Sequence, residues 1–100
     1  TLLESKIDEN DYHQSIELIS DLFKKAKLVH GDFSEYNIFK TKNGLKLFDL
    51  GSAVDRTHPN TMNFLKRDIN NITNFFVKRG LTVENPADIL ERITKWALKN

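Results

Sequence analysis

Cysteine is absent from the 100 residues, which excludes a disulfide framework, a thiolate nucleophile and a zinc–thiolate centre. Two prolines and four glycines are too few for a collagen-like or low-complexity chain. No apolar run approaches the roughly 18 residues that span a bilayer, and no signal-peptide-like apolar stretch opens the sequence. Charge of one sign is missing too: 15 Lys and Arg against 14 Asp and Glu leave a formal net charge of +1. Without a strong field, neither membrane attachment nor strong direct nucleic-acid binding is expected, and any nucleic-acid contact must be local. What is present is 39% hydrophobic residues, with aromatics at 10% of the chain, enough for a small core in a single domain over residues 1–100. The expected location is cytoplasmic. Because Thr1 rather than Met opens the sequence, a piece of a longer protein is expected.

Tyr12, Ile16, Ile19 and Phe23 recur at helical spacing, with Leu18 and Leu22 widening the stripe and Lys24, Lys25 and Lys27 at its basic end. This predicts a helix starting after Asn10-Asp11. Residues 28–37 follow neither a helical nor a strand period and predict a structured loop. Ile38-Phe39-Lys40 and Leu45-Lys46-Leu47-Phe48 flank Thr41-Lys42-Asn43-Gly44, and Asn-Gly between apolar runs signals a β-hairpin. After Asp49-Leu50-Gly51 the chain is expected to stay irregular until Pro59, which suits a first helical turn. Met62, Leu65, Ile69, Ile72 and Phe76 then recur in steps of three and four until Gly80, the predicted stop. Asn85-Pro86 opens a last helix with Ile89, Leu90, Ile93, Trp96 and Ala97 on its apolar face. The outline is an α+β arrangement in which helices dominate.

The chemistry gathers between His30 and Gly51. A hairpin centred on Asn43 sets Asn37 directly opposite Asp49. Opposed residues share a face with Cβ atoms about 4.5–5.5 Å apart, close enough for a carboxamide oxygen and a carboxylate to share a cation. Oxygen-only donors suit Mg²⁺, which takes one or two protein groups together with phosphates and waters. Asp32, five residues before Asn37, adds a carboxylate able to orient a hydroxyl or a water. Singly, each residue is what turn chemistry supplies; the three together, around a hairpin, point to a reaction. Asp68 borders the predicted buried stripe between Leu65 and Ile72, where an unpaired carboxylate is costly. His30, after Leu28 and Val29, reads as a packed, hydrogen-bonded histidine rather than a proton shuttle. His58 reads as a capping or packing residue and Trp96 as core.

Leu-Val-His-Gly-Asp-Phe-Ser-Glu-Tyr-Asn-Ile at 28–38, Asp49 to Val54, His58-Pro59-Asn60, and Phe64-Leu65-Lys66-Arg67-Asp68 through Phe75-Phe76-Val77-Lys78-Arg79-Gly80 resemble the RIO family of atypical serine/threonine protein kinases and ATPases. The match is to the branch with Ser-Glu-Tyr-Asn in its loop and runs from about Asp11 to Gly80. It implies the mainly helical C-terminal lobe of a protein kinase-like fold, with a small β-hairpin carrying the catalytic and metal-binding loops and residues 1–10 as the tail of a hinge. By that resemblance Asp32 is the catalytic aspartate, and Asn37 and Asp49 hold Mg²⁺ against the phosphates of ATP. Asp49 is also catalytic, as the aspartate that accepts the phosphoryl group in an ATPase cycle. Asp68 anchors the catalytic-loop backbone, with His30 as further structural support. Departures from ordinary protein kinases agree with this branch: Gly31 stands where Arg is usual, Ser34 where Lys is common and Leu50 where Phe is common. Only Ser52 to Thr57 separate Gly51 from His58, leaving no room for a conventional activation loop.

The resemblance implies as partners an N-terminal ATP-binding lobe and a protein substrate or precursor small ribosomal subunit. The sequence supplies no Gly-rich phosphate loop or strand lysine for that lobe, so the isolated chain is expected to be inactive. Two other readings stay open. One is a non-catalytic docking or scaffold module with a vestigial acidic trio. The other is a small-molecule phosphotransferase of the aminoglycoside or choline kinase type, which shares the His-Gly-Asp…Asn loop.

Overall fold

The computed structural model describes residues 1–51 and 53–99, with side chains as far as Lys95. The predicted apolar positions Trp96 and Ala97 therefore lie outside the described side chains. After a 3₁₀ turn at Leu2–Glu4 that buries Leu2, the elements in order are α1 (Glu9–Lys24), β1 (Leu28–Val29), β2 (Ile38–Thr41), β3 (Gly44–Leu47), β4 (Val54–Asp55), α2 (Thr61–Lys78) and α3 (Pro86–Lys99).

Helix α1 begins earlier than the apolar spacing suggests, because Asp8 is its cap. Asp8 Oδ1 accepts from the Asp11 N–H and Asp11 Oδ2 accepts from the Asp8 N–H, both at 3.0 Å. This capping box satisfies two orphan donors reciprocally. Helix α2 begins at Thr61, not Pro59. Residues 58–60 are tied instead into a turn: the His58 carbonyl accepts from Thr61 N at 3.0 Å, and His58 Nδ1 accepts from Asn60 N at 3.1 Å. At its end Gly80 takes φ +88°, and Gly80 N bonds the Val77 carbonyl while Leu81 N bonds the Phe76 carbonyl. That pair is a Schellman stop, which needs a left-handed residue after the cap. Asn85 opens α3 by accepting from Ala87 N at 2.9 Å.

The core lies where the apolar faces of the three helices meet. Tyr12, Ile16 and Ile19 of α1, Leu65, Ile69, Ile72 and Phe76 of α2, and Ile89 and Ile93 of α3 are all buried there. Met62, expected on that stripe, is 45% exposed. The hairpin rests on α1 through two side chains. Gln14 Oε1 accepts from Leu45 N at 3.0 Å, and the Lys40 ammonium sits 2.8 Å from buried Asp11 while also bonding the Lys6 carbonyl.

Two expectations about the strands change. The hairpin pairs Ile38 with Leu47 and Thr41 with Gly44, so Lys42-Asn43 form its two-residue turn and Gly44 is already paired. Thr41 closes the turn, its hydroxyl bonding the Gly44 carbonyl and accepting from Asn43 N. Asn37 therefore faces Phe48, whose N–H donates to the Asn37 carbonyl at 2.8 Å, and not Asp49. Residues 28–37 and 51–59 are also not wholly irregular, since β1 and β4 pair antiparallel, Leu28 with Asp55 and Val29 with Val54. Two-residue strands are too short to show a period. Their pairing brings the chain leaving Asp49 back beside the start of the 30–37 loop. The result is an α+β fold with helices dominant.

Candidate active site

The loop from His30 to Asn37 is held from below by α2. Asp68 is 1% exposed, and its two carboxylate oxygens accept from the backbone of Gly31 at 2.9 Å and of Phe33 at 3.1 Å. Arg67 beside it donates to the Gly31 carbonyl. Burial pushes the Asp68 carboxyl above its ordinary value, while the Gly31 and Phe33 N–H groups pull the other way. The peptides on both sides of Asp32 are thus clamped to the helix, with Gly31 at φ +85° making the bend. Phe33 packs into the core and Asp32 is left exposed. Among the described residues the Asp32 carboxylate has no ion-pair partner.

His30 joins this loop to the hairpin exit. Its Nδ1 accepts from Asp32 N at 3.1 Å, which leaves the proton on Nε2 to donate to the Phe48 carbonyl at 3.3 Å. The Phe48 residue is therefore gripped twice, its N–H by Asn37 and its carbonyl by His30, one residue before Asp49. Asp49 itself takes φ +62°, a left-handed conformation that Asp tolerates better than most residues. Leaving the strand pleat in this way, it aims its side chain by the turn and not by strand alternation, with Oδ1 accepting from Gly51 N at 3.4 Å. Its carboxylate is exposed and has no ion-pair partner among the described residues. Asn37 Oδ1 accepts from the Ser34 hydroxyl at 2.9 Å, which orients the carboxamide and leaves one lone-pair direction on that oxygen.

These donors fit a hard divalent cation: all are oxygens, and the two carboxylates are uncompensated. Among the described residues no group of three or more His, Cys, Asp or Glu side chains could enclose a metal. A cation held at Asn37 and Asp49 must take its remaining oxygens from a phosphate ligand or water, the usual pattern for Mg²⁺.

Three features of the site escape the sequence patterns. Phe39 and Phe48 form an exposed edge-to-face pair, ring centroids 4.7 Å apart, with Leu50 exposed nearby in sequence. Here a signal exists: Phe39 follows core residue Ile38 in a strand, so alternation sends it to the other face. The hold of Arg67 on the Gly31 carbonyl is the second, and it has no local signal. The third is a cleft of about 610 Å³ between the loop and the C-terminal half of α2, lined by Asp32, Ser34, Tyr36, Asn71, Asn74 and Lys78 among others. Asn37 and Asp49 do not line it.

Comparison with known proteins matches residues 1–89 to the RIO domain family. The chain is 40% identical over 86 residues to a probable serine/threonine-protein kinase RIO1 homolog of Encephalitozoon cuniculi, covering 86% of this chain and 22% of that protein. It is 39% identical over 94 residues to the RIO-type serine/threonine-protein kinase Rio1 of Thermoplasma acidophilum, covering 94% of this chain and 49% of that protein. Its fold is similar to that of the Rio2 kinase in an ADP/Mg²⁺-phosphoaspartate complex from Chaetomium thermophilum, with a TM-score of 0.66 and 26% identity over 90% of this chain and 32% of that one. The chain spans from about a fifth to a half of the length of these curated relatives. With the family match running through the loop, the hairpin and all of α2, the chain belongs to the RIO family of atypical serine/threonine kinases.

Proposed function

We propose that this chain is the catalytic and metal-binding lobe of a RIO-type kinase, performing Mg²⁺-ATP-dependent phosphoryl transfer once an ATP-binding lobe is present. The observation that carries the reading is the double grip on Phe48. One hydrogen-bonded assembly built from buried Asp68, buried His30 and the Asn37 backbone fixes the loop bearing Asp32 relative to the turn bearing Asp49. Two uncompensated carboxylates on a rigid support suit a reaction whose catalysis is mainly positioning and electrostatics.

Asp32 accepts the proton of a Ser or Thr hydroxyl as its oxygen bonds to the γ-phosphorus. The bond from that phosphorus to the β,γ-bridging oxygen breaks, and ADP leaves with the electron pair. Mg²⁺, when bound, offsets the charge of the phosphates, and Asn37 Oδ1 and the Asp49 carboxylate are the groups that hold it. The exposed, edge-to-face rings of Phe39 and Phe48 offer apolar surface for the nucleobase. In a second branch an Asp49 carboxylate oxygen takes the phosphoryl group, which water then removes, giving net ATP hydrolysis. The phosphoaspartate of the Chaetomium Rio2 complex supports this branch. From the family resemblance alone, the proposal extends to protein Ser/Thr acceptors and to precursor small ribosomal subunits as the place of action.

The test is turnover of ATP with Mg²⁺ by the full-length gene product carrying this chain. Asp32→Asn should lower the rate by about 10²–10⁴-fold, the usual worth of a positioned acid–base group. Asp49→Asn should do at least as much, and neither should change the melting temperature, because both side chains are exposed. Wild-type rates in either variant would refute the assignment.

A further inference from the structure

The cleft between the catalytic loop and α2 has a charge order along its length. Asp32 and Glu35 stand at the loop end and Lys78 and Arg79 at the far end. Asn71, Asn74 and Lys78 recur at helical spacing on one exposed face of α2. Arg79 is already committed: its guanidinium donates to the Leu3 and Ser5 carbonyls and lies 4.9 Å over the Phe75 ring. Lys78 has no carboxylate partner among the described residues, so its ammonium is the cation left to meet a ligand.

The dimensions give the ligand's length. The bonds from Gly31 and Phe33 to Asp68 place Asp32 level with Asp68 on α2. Lys78 lies ten residues further along the helix, about 15 Å at 1.5 Å per residue. An extended peptide advances about 3.3 Å per residue, so a chain whose hydroxyl sits at Asp32 reaches Lys78 after about four to five residues. Between the two ends, the Asn71 and Asn74 carboxamides offer both donors and acceptors to a peptide backbone.

We infer that this cleft seats the acceptor segment in extended form and selects an acidic side chain about four to five residues from the phosphorylated Ser or Thr, pairing it with Lys78. The inference rests on the phosphoryl-transfer reading above and names the substrate class for it. Glu35, close to Asp32 in the loop, repels a carboxylate placed next to the acceptor, so the preference belongs to the distant position.

The experiment uses the full-length gene product, ATP, Mg²⁺ and a panel of Ser-centred peptides with Glu, Ala or Lys at each position on either side. On one side, Glu at about four or five residues should raise kcat/KM about two- to fivefold over Ala, the range of an exposed charge pair. Lys78→Glu should invert that preference in favour of Lys, while ATP hydrolysis without peptide stays unchanged. A preference that is flat along the peptide, or that survives Lys78→Glu, overturns the inference. So does ATP hydrolysis without phosphorylation of any peptide, or a Lys78→Glu effect seen only on binding of a single-stranded RNA. ATP turnover that is indifferent to Asp49→Asn fails differently: it brings down the phosphoryl-transfer reading and this inference with it.

Discussion

Replacing Asp68 by Ala tests whether the loop is held by the carboxylate or merely lies near it. Asp68 is 1% exposed and takes the N–H groups of Gly31 and Phe33 at 2.9 and 3.1 Å. Truncation leaves both donors without an acceptor, at about 1–3 kcal/mol each. Part of that is recovered, because burial raises the Asp68 carboxyl, and removing a desolvated charge returns some of its cost. A net loss of about 3 kcal/mol is the expectation. For a domain of this size, about 4–8 °C per kcal/mol makes that a fall in Tm of roughly 12–24 °C. Asp68→Asn keeps one acceptor oxygen and should lose about half as much. Thermal melts followed by circular dichroism give the global number, and amide hydrogen exchange gives the local one. Gly31 and Phe33 amides should be protected in the wild type and exchange freely in the Ala variant. A Tm drop below about 4 °C, less than one kcal/mol, with both amides still protected would refute the clamp.

Gly44→Ala should cost about 2 kcal/mol: Gly44 sits at φ +106°, and a Cβ there would come 2.9 Å from Gln14 Oε1, displacing the oxygen that receives the Leu45 N–H. A thermal melt and the exchange rate of the Leu45 amide check it; an unchanged rate would show that the hairpin does not depend on Gln14. The Arg92 guanidinium holds the Glu84 carboxyl below its ordinary 4.5. A depressed folded value contributes stability above the unfolded value, lost as pH falls through the folded one. Both side chains are at least 39% exposed, so screening limits the pair to about 0.5 kcal/mol, or about 2–4 °C. Glu84→Gln should melt that much below wild type near neutral pH and converge with it as pH falls from 4.5 through the lowered folded value; curves separated by a constant gap across that range would refute the pairing.

Most of the helical skeleton was legible because burial here follows clean periods. Tyr12, Ile16, Ile19 and Phe23 declare α1, Gly80 declares the end of α2, and Asn85-Pro86 the start of α3. The errors arose where hydrogen bonds, not periods, decide. Asn-Gly marked the hairpin correctly but left its register one residue out, since Gly44 pairs with Thr41 and the turn falls on Lys42-Asn43. Such a slip reverses every side chain, and it removes the direct opposition of Asn37 and Asp49. The bond from His30 to the Phe48 carbonyl, 18 residues away, has no local signature. The same holds for the cleft, whose walls come from residues about forty positions apart in the chain.

Three aspartates in one small site carry three different physical loads. Asp68 is buried and costly, and its two backbone donors account for its presence without any chemistry. Asp32 and Asp49 are the reverse: exposed, without ion-pair partners among the described residues, and of little use to the fold. Asp49 even sits in a left-handed conformation that costs a non-glycine residue about 1 kcal/mol or more. A position under selection for stability alone would favour Gly or Asn there. The economical account is that α2 and His30 stabilise a backbone on which Asp32 and Asp49 are displayed for a ligand. Stability and turnover should then separate by residue, Asp68 moving Tm first and Asp49 moving rate alone.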